Sequence, residues 1–356
     1  MGDLFIHITA ASALQVIVLG FIGGVLSGFI GSGGAFFMTP GLMNLGVQGV
    51  IAVGSNITHK FGKALVGSRK HGELGHVDKK LGIFMLITAL IGIRLAVWIS
   101  TSLFGISDTH GDKGAAANLY ISAVFVIILT GVAISIMVDV LKSRSAADAG
   151  PSKRITDYLS KLRLFPMVHF PVADVSVSLW ALLLVGLFTG YLAGTIGVGG
   201  FVGVPAMIYV FGIPTAVAAG TELFLAMFMG AFGAINYAFE GFVDIRLVVL
   251  LYLGSLLGIF IGTYGTKVVN ESVIRLVTGI IILLCVVSRA IAIPIYMAQL
   301  QMIDFVQPST YPTLNTISKY FLYTSGIGGV LVILLHVARA YLKKRRVYAT
   351  IVAKSN

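Results

Sequence analysis

The sequence predicts an all-α polytopic membrane protein made of two inverted-topology repeats. Three observations support this fold class: the composition, the length of the apolar segments and an internal repeat. Of the 356 residues, 57% are hydrophobic and only 11% are charged, and the mean hydropathy is +0.97. Soluble domains carry roughly 25% charged residues. Lipid is therefore the solvent for most of this chain.

Several apolar segments approach or exceed the length of about 20 residues that an α-helix needs to cross the hydrocarbon core. The clearest are residues 81–103, 118–141, 214–240, 246–267, 272–293 and 319–341. The 43 glycines suit this solvent, because small residues bring membrane helices into close contact. The single cysteine, Cys285, lies inside one of these segments and excludes an intrachain disulfide.

The distribution of Lys and Arg orients the segments, because positive charge collects in cytoplasmic connections. Basic residues crowd the connection at 69–80, the connection at 142–177 and the C-terminal tail at 343–346, whereas 294–318 has none. The net charge of +11 therefore reflects membrane topology, and nucleic acid is not an expected partner. The sequence predicts an inner-membrane protein with its N-terminus outside and its C-terminus in the cytoplasm.

An internal repeat relates the two halves of the chain. GFIGGVLSGFIGSGG at 20–34 matches GLFTGYLAGTIGVGG at 186–200, and the register continues to Asp78 and Asp244, which are also 166 positions apart. Each repeat is expected to contain a broken or re-entrant helical hairpin followed by three transmembrane helices. An odd number of crossings in each half inverts the second half relative to the first, as in many secondary transporters.

These features divide the chain into four parts. Residues 1–141 are the first membrane repeat, 142–177 a basic cytoplasmic linker and 178–293 the second membrane repeat. Residues 294–356 contain an outer loop, an extra C-terminal transmembrane helix and a basic tail. Within the linker, residues 152–165 fit either an amphipathic helix on the inner leaflet or an ordinary basic connection.

The glycine-rich tips of the two hairpins are candidate anion sites. A helix that breaks inside the membrane exposes N–H groups and the positive end of its dipole, and both attract anions. The alternative is that these glycines only permit tight helix packing. The candidate residues are Gly31, Ser32, Gly33, Gly34, Gly197, Gly199 and Gly200.

The helix after the first hairpin carries polar and basic residues in an otherwise apolar sequence, QGVIAVGSNITHKFGKALVG. Such side chains are costly in a membrane and by default mark a pathway or a partner site. Lys60 is expected about 12 Å deep, where it neutralises an anion, whereas Lys63 is near enough to the cytoplasmic end to snorkel to the interface. His59 is either a proton relay or a histidine hydrogen-bonded in a helix interface. The candidates here are Asn56, Thr58, His59 and Lys60.

Three further positions complete the candidate site. Arg94 is the deepest cation by spacing, about 20 Å from the inner end of its helix, and needs a partner. In the second half, Thr221 and Glu222 occupy the positions of Ser55 and Asn56. Glu222 is expected either to form an ion pair with Arg94 or Lys60, or to act as a protonatable coupling group.

These residues resemble the TauE/SafE family, whose members are often described as sulfite exporters. The resemblance rests on the tips GFIGSGG and GTIGVGG, each followed by a proline (Pro40 and Pro205), and on GSN and GTE in the next helix. It covers about residues 14–100 and 180–295. The resemblance implies export of small sulfur oxyanions or organosulfonates, such as sulfite or sulfoacetate, or of related carboxylates.

The sequence therefore predicts a secondary anion exporter, with a passive anion channel as the alternative. It contains no GxxxxGK[ST] sequence, so ATP is not expected to drive transport directly. An enzyme is not expected, because His59 has no HExxH partner and no GxSxG sequence is present. The expected partners are a small anionic substrate and the lipid bilayer, without a metal or another cofactor. The oligomeric state is open, and a homodimer is one candidate.

Overall fold

The computed structural model describes residues 6–30, 34–105, 114–143, 165–197, 199–269 and 271–355, which form eleven α-helices and one β-hairpin. The first half contains α1 (Ala10–Ile30), α2 (Ala35–Asn44), α3 (Gly49–Glu73), α4 (Lys79–Gly105) and α5 (Ala115–Ser143). The second half contains α6 (Leu179–Ile196), α7 (Gly200–Pro205), α8 (Thr215–Phe239), α9 (Ile245–Val268) and α10 (Glu271–Gln299), and α11 (Tyr311–Ser355) follows. Gly31, Ser32 and Gly33 lie outside the described residues, as does the candidate helix 152–165 except for Phe165.

Eight of the described helices are long and apolar enough to cross a membrane, judged by length and composition: α1, α4, α5, α6, α8, α9, α10 and α11. The predicted fold class, an all-α polytopic membrane protein, is confirmed. Helix α3 has the necessary length, 25 residues, but carries the polar and basic residues noted above. Its N-terminal half is buried among the other helices.

Each half begins with a long helix followed by a short one. Helix α1 has 21 residues and α2 has 10, while α6 has 18 and α7 has 6, continued by a five-residue π-helical turn, Ala206–Val210. The first arm of each hairpin is therefore longer than the second. Pro40 and Pro205 lie inside the second arms, and membrane helices tolerate proline in this way.

The most extensive packing joins the two halves through glycine seams, α1 along α9 and α4 along α6. A Cβ added to Gly24 would collide with the backbone of Ser255, and one added to Gly190 would collide with the backbone of Ala89. These contacts are reciprocal, because a shift of 166 positions converts Gly24 into Gly190 and Ala89 into Ser255. Glycine lets the backbones touch and so strengthens van der Waals packing in the membrane.

Helices α3 and α8 pack against each other between the glycine seams and run antiparallel. Gly233 lies against Ile57, and Gly67 lies against Leu223. These helices occupy the same position in their respective halves, as do α5 and α10, which also pack together. Reciprocal contacts of this kind are what a two-fold relation between the halves produces.

A β-hairpin precedes α6, formed by β1 (Met167–Phe170) and β2 (Val175–Ser178). The Phe170 side chain is buried, with its ring centroid 6.2 Å from that of Phe84 in α4. The Asp78 carboxylate accepts the N–H groups of Val172 and Ala173 at 3.1 and 3.2 Å. The end of the predicted basic linker is therefore attached to the start of α4.

The connection after the second half is shorter than the predicted loop at 294–318. Helix α10 continues through Pro294 to Gln299, and α11 begins at Tyr311 after a short 3₁₀ turn, Pro308–Thr310. Helix α11 is the predicted extra C-terminal helix, and it extends through the basic tail to Ser355. It packs mainly against α10.

Candidate functional site

The second arms of the two hairpins meet inside the protein. The rings of Phe36 in α2 and Phe201 in α7 pack edge to face with centroids 4.8 Å apart. The Thr39 hydroxyl of α2 donates to the carbonyl of Ile196, the last residue of α6, at 3.1 Å. The described parts of both hairpins therefore converge on one centre.

The described tip glycines pack closely against the first arms. A Cβ at Gly34, directly before α2, would fall 3.0 Å from the backbone nitrogen of Ser27 in α1. A Cβ at Gly199 would fall 2.9 Å from the carbonyl oxygen of Thr189 in α6. Gly200 is buried at the start of α7. Tight packing, the alternative reading of these glycines, is thus present at Gly34 and Gly199, and their predicted role in anion binding stays a prediction.

Gly197 connects the second tip to the predicted binding residue Asn56. Asn56 Nδ2 donates to Thr39 Oγ1 at 2.8 Å. Gly197 ends α6 with a φ of +77°, a left-handed conformation that favours glycine. A Cβ at this position would also fall 2.8 Å from Asn56 Nδ2. Both the left-handed backbone conformation and the lack of room for a Cβ require glycine at position 197. The absence of a side chain there lets Asn56 pack directly against the tip.

Glu222 is buried beside the second hairpin. Only 4% of its surface is exposed, and neither carboxyl oxygen has a hydrogen-bond partner among the described residues. Its carboxyl group lies next to Gly203 of α7, where an added Cβ would fall 2.8 Å from Oε2. Thr189 of α6 also contacts Gly203, and its buried hydroxyl has no described partner either. Buried polar groups are nearly always hydrogen-bonded, so an exception of this kind is typical of a functional site.

Lys60 lies on α3, the helix that packs against α8, and α8 carries Glu222. The Lys60 side chain is partly buried on α3, and so is that of Lys63 one helical turn further on. Lys60 and Glu222 are not hydrogen-bonded to each other, since both oxygens of Glu222 lack a described partner. With one acidic and two basic side chains, the region has an excess of positive charge when all three are ionised. That excess suits an anionic ligand.

His59 lies in the interface between α3 and α9. Its Nε2 is 2.7 Å from Ser255 Oγ, and its ring centroid is 4.6 Å from that of Tyr252. This is the arrangement of a histidine hydrogen-bonded between helices, one of the two alternatives that the sequence left open.

Arg94 is placed away from Glu222. Its Nη1 donates to Asn236 Oδ1 at 3.1 Å and lies 3.9 Å from Glu240 Oε1, at the C-terminal end of α8. The Arg94 side chain is 56% exposed. Of the two ion pairs considered for Glu222, the pair with Arg94 is therefore not formed.

The hydroxyls of Thr58 and Thr221 are used in the fold. Thr58 Oγ1 donates to the carbonyl of Gly54 at 2.7 Å, one turn earlier in α3. Thr221 Oγ1 accepts the N–H of Asp78 at 3.1 Å, at the start of α4. Substrate contacts for these two residues stay predictions.

Comparison with known proteins places the chain in a family. The profile of the family described as "Sulfite exporter TauE/SafE" matches residues 16–289. This chain belongs to the TauE/SafE family. The probable membrane transporter protein YjnA of Bacillus subtilis (strain 168) is 28% identical over 254 residues, which are 71% of this chain and 89% of YjnA. YdhB of the same organism, also a probable membrane transporter protein, is 24% identical over 269 residues, 74% of this chain and 94% of YdhB.

A third relative is a probable membrane transporter protein of Xylella fastidiosa (strain 9a5c), 26% identical over 261 residues, 72% of this chain and 85% of the relative. No solved structure matches the chain significantly. The chain is thus a membrane transporter of the TauE/SafE type.

In this TauE/SafE protein, reasoning from the sequence missed three buried residues that the structure brings to notice: Thr39, Thr189 and Arg289. Each is a polar or charged residue within an apolar helix, the same signal that identified Asn56. Single threonines carry this signal weakly, because a threonine in a helix can hydrogen-bond to the backbone of its own helix. Arg289 is a charged residue and carries this signal strongly, but it lies in α10, in a different part of the fold.

Proposed function

We propose that this TauE/SafE protein is a secondary transporter that exports small anions, with sulfite or an organosulfonate or carboxylate as substrate. The observation that carries the proposal is the buried, unpartnered carboxyl group of Glu222, which lies close to the converging hairpins on the helix that packs against the one carrying Lys60. The family description, sulfite exporter, supports a sulfur oxyanion as the substrate class. Fixed positive charge in a water-poor site selects anions over cations.

Lys60 neutralises the anion in this scheme, and Asn56 packs against Gly197 at the tip of the second hairpin. Gly31, Ser32 and Gly33 lie outside the described residues, and in this proposal their N–H groups take part in binding the oxyanion. Gly197 and Gly200 belong to the equivalent tip of the second half. The substrate thus binds near the middle of the membrane, between the halves.

Glu222 couples anion binding to a proton. Two negative charges close together in a water-poor site repel each other. An anion at Lys60 therefore favours the protonated form of Glu222, and release of the anion favours loss of that proton. The exposure of Glu222 to one side at a time then sets the direction in which the proton moves.

Alternating access between inverted halves completes the proposal. The antiparallel packing of α3 on α8 supports inversion, as do the reciprocal contacts of Gly24 and Gly190. Rocking of one half against the other would expose the site to either side in turn. With the N-terminus outside and the C-terminus in the cytoplasm of a plasma membrane, an inside-negative potential favours export by about 2.3 kcal/mol at 100 mV for each anion charge that the accompanying proton does not cancel.

Purified protein in liposomes tests the proposal. Labelled sulfite, sulfoacetate and small carboxylates are offered in turn, with protein-free liposomes as the control. We expect saturable flux of at least one of these anions. Absence of flux for all of them would overturn the proposal. Single-channel conductance in a planar bilayer would show that the protein is a passive anion channel and not a carrier.

A further inference from the structure

Arg289 is a fully buried cation in a membrane helix, apart from the site at Lys60. It lies in α10 with 1% of its surface exposed, where α10 packs against α11 and the end of α2. The residues around its guanidinium are Asn44, the last residue of α2, and Ser318 of α11. Since α2 is 10 residues long, this position is about 15 Å along the helix axis from the hairpin tip.

Most of the hydrogen-bonding capacity of Arg289 is unused within the described part of the chain. Nη2 donates to Asn44 Oδ1 and lies 3.4 Å from Ser318 Oγ. Nε and Nη1 have no partner among the described residues. Because Nε carries one N–H and Nη1 carries two, three of the five guanidinium donors are unpartnered.

The neighbouring polar side chains form a network among themselves and are uncharged. Ser288 Oγ donates to the Ser318 carbonyl at 2.7 Å, and Asn44 Nδ2 donates to Ser288 Oγ at 3.2 Å. None of the ion pairs between described residues includes Arg289. A guanidinium does not lose its proton in proteins. Its charge is therefore not balanced by any described side chain, although buried charges are normally paired.

We propose that Arg289 is the cationic centre of a second anion site, which holds one small inorganic anion such as chloride. The free N–H groups at Nε and Nη1 are its donors, and the anion balances the guanidinium charge. The Asn44, Ser288 and Ser318 network fixes the guanidinium in place through Nη2. Because these residues come from α2, α10 and α11, the bound anion stabilises the contact of the C-terminal helix with the first hairpin.

Thermal unfolding of the purified protein in detergent tests this site. Chloride replaces gluconate at constant ionic strength from zero to about 100 mM, so that any rise in Tm reports saturable binding to the native state. We expect a rise for the wild type and for Lys60→Gln, and none for Arg289→Gln. The Lys60→Gln arm separates this site from the proposed transport site, because that variant impairs transport without touching Arg289.

Two outcomes would overturn the proposal: a wild type whose Tm does not respond to chloride, and an equal response in Arg289→Gln. If Arg289→Gln does not fold, Arg289→Lys retains the charge with fewer donors and should bind chloride more weakly than the wild type. Stabilisation by added phosphatidylglycerol but not by chloride would assign the site to a lipid phosphate and contradict a free anion. In crystals grown with bromide, the anomalous peak should lie within hydrogen-bond distance of Nε or Nη1, and a peak only elsewhere would contradict the assignment.

Discussion

The backbone N–H of Asp78 donates to the hydroxyl of Thr221 at 3.1 Å, and the equivalent bond from Asp244 to Ser55 has the same length. In each case the start of a fourth helix is bonded to the third helix of the other half. A shift of 166 positions exchanges one pair for the other. These contacts join the halves next to the candidate site, because Ser55 precedes Asn56 and Thr221 precedes Glu222.

Thr221→Val should lower the free energy of unfolding by about 1–3 kcal/mol, because it leaves the buried N–H of Asp78 without an acceptor. Ser55→Ala should have a similar effect through Asp244. Thermal unfolding measures the stability. Transport in liposomes, normalised to the amount of folded protein, should show an unchanged substrate KM. An increased KM with unchanged stability would instead give Thr221 the substrate-binding role predicted from the sequence.

Glu222→Gln should separate anion flux from proton movement, because glutamine has a similar shape and does not exchange a proton. The Tm should not fall, since a neutral amide is easier to bury without a partner than a carboxylate. A pH-sensitive dye inside the liposomes follows proton movement during anion flux. Glu240→Gln is the control, because Glu240 is exposed and near Arg94. Proton movement that persists in Glu222→Gln would exclude Glu222 as the coupling group.

Gly203→Ala should reduce transport and stability together. The added Cβ would fall 2.8 Å from Glu222 Oε2 and 3.1 Å from Thr189 Cγ2. Overpacking of this kind typically costs about 1–3 kcal/mol. Gly131→Ala, with nothing within 4 Å of the added Cβ, should instead stabilise α5 by about 0.5–1 kcal/mol. Wild-type flux and stability in Gly203→Ala would show that Glu222 does not depend on this contact.

Leu74 and Glu240 test the inversion of the repeats, because they are exposed, follow α3 and α8 directly and are 166 positions apart. Single cysteines are introduced at these positions in a Cys285→Ala background. A membrane-impermeant thiol reagent should label Leu74→Cys only from the cytoplasmic side and Glu240→Cys only from the outside. Labelling of both from one side would mean that the repeats are parallel.

The class of the protein was predictable from the sequence because hydropathy and glycine spacing are properties of single helices. Other features depend on tertiary contacts. The β-hairpin at Met167–Ser178 has only four residues in each strand and is attached through Asp78, which is distant in the sequence. Helix α10 continues past Pro294, as membrane helices can, so the outer connection is shorter than predicted.

The candidate site was predictable where the repeat register added information. Comparison of the halves singled out Asn56 and Glu222, and both are buried near the hairpins. The partner of Arg94 was not predictable, because its position on the turn of α4 that faces Asn236 depends on how α4 crosses α8. Arg289 was overlooked because its segment was judged as a whole by hydropathy, which one arginine changes little.

The transport kinetics of Lys60→Gln, compared with those of Arg94→Gln, test most directly whether the anion is neutralised between the halves. Both variants remove one cation from a helix that packs against α8, but Lys60 is partly buried, whereas Arg94 is exposed and lies near Glu240. Loss of the Lys60 charge should reduce kcat/KM for the transported anion about tenfold or more, equivalent to about 1.4 kcal/mol, while Arg94→Gln keeps wild-type kinetics. A well-folded Lys60→Gln protein that transports the anion as the wild type does would contradict the account.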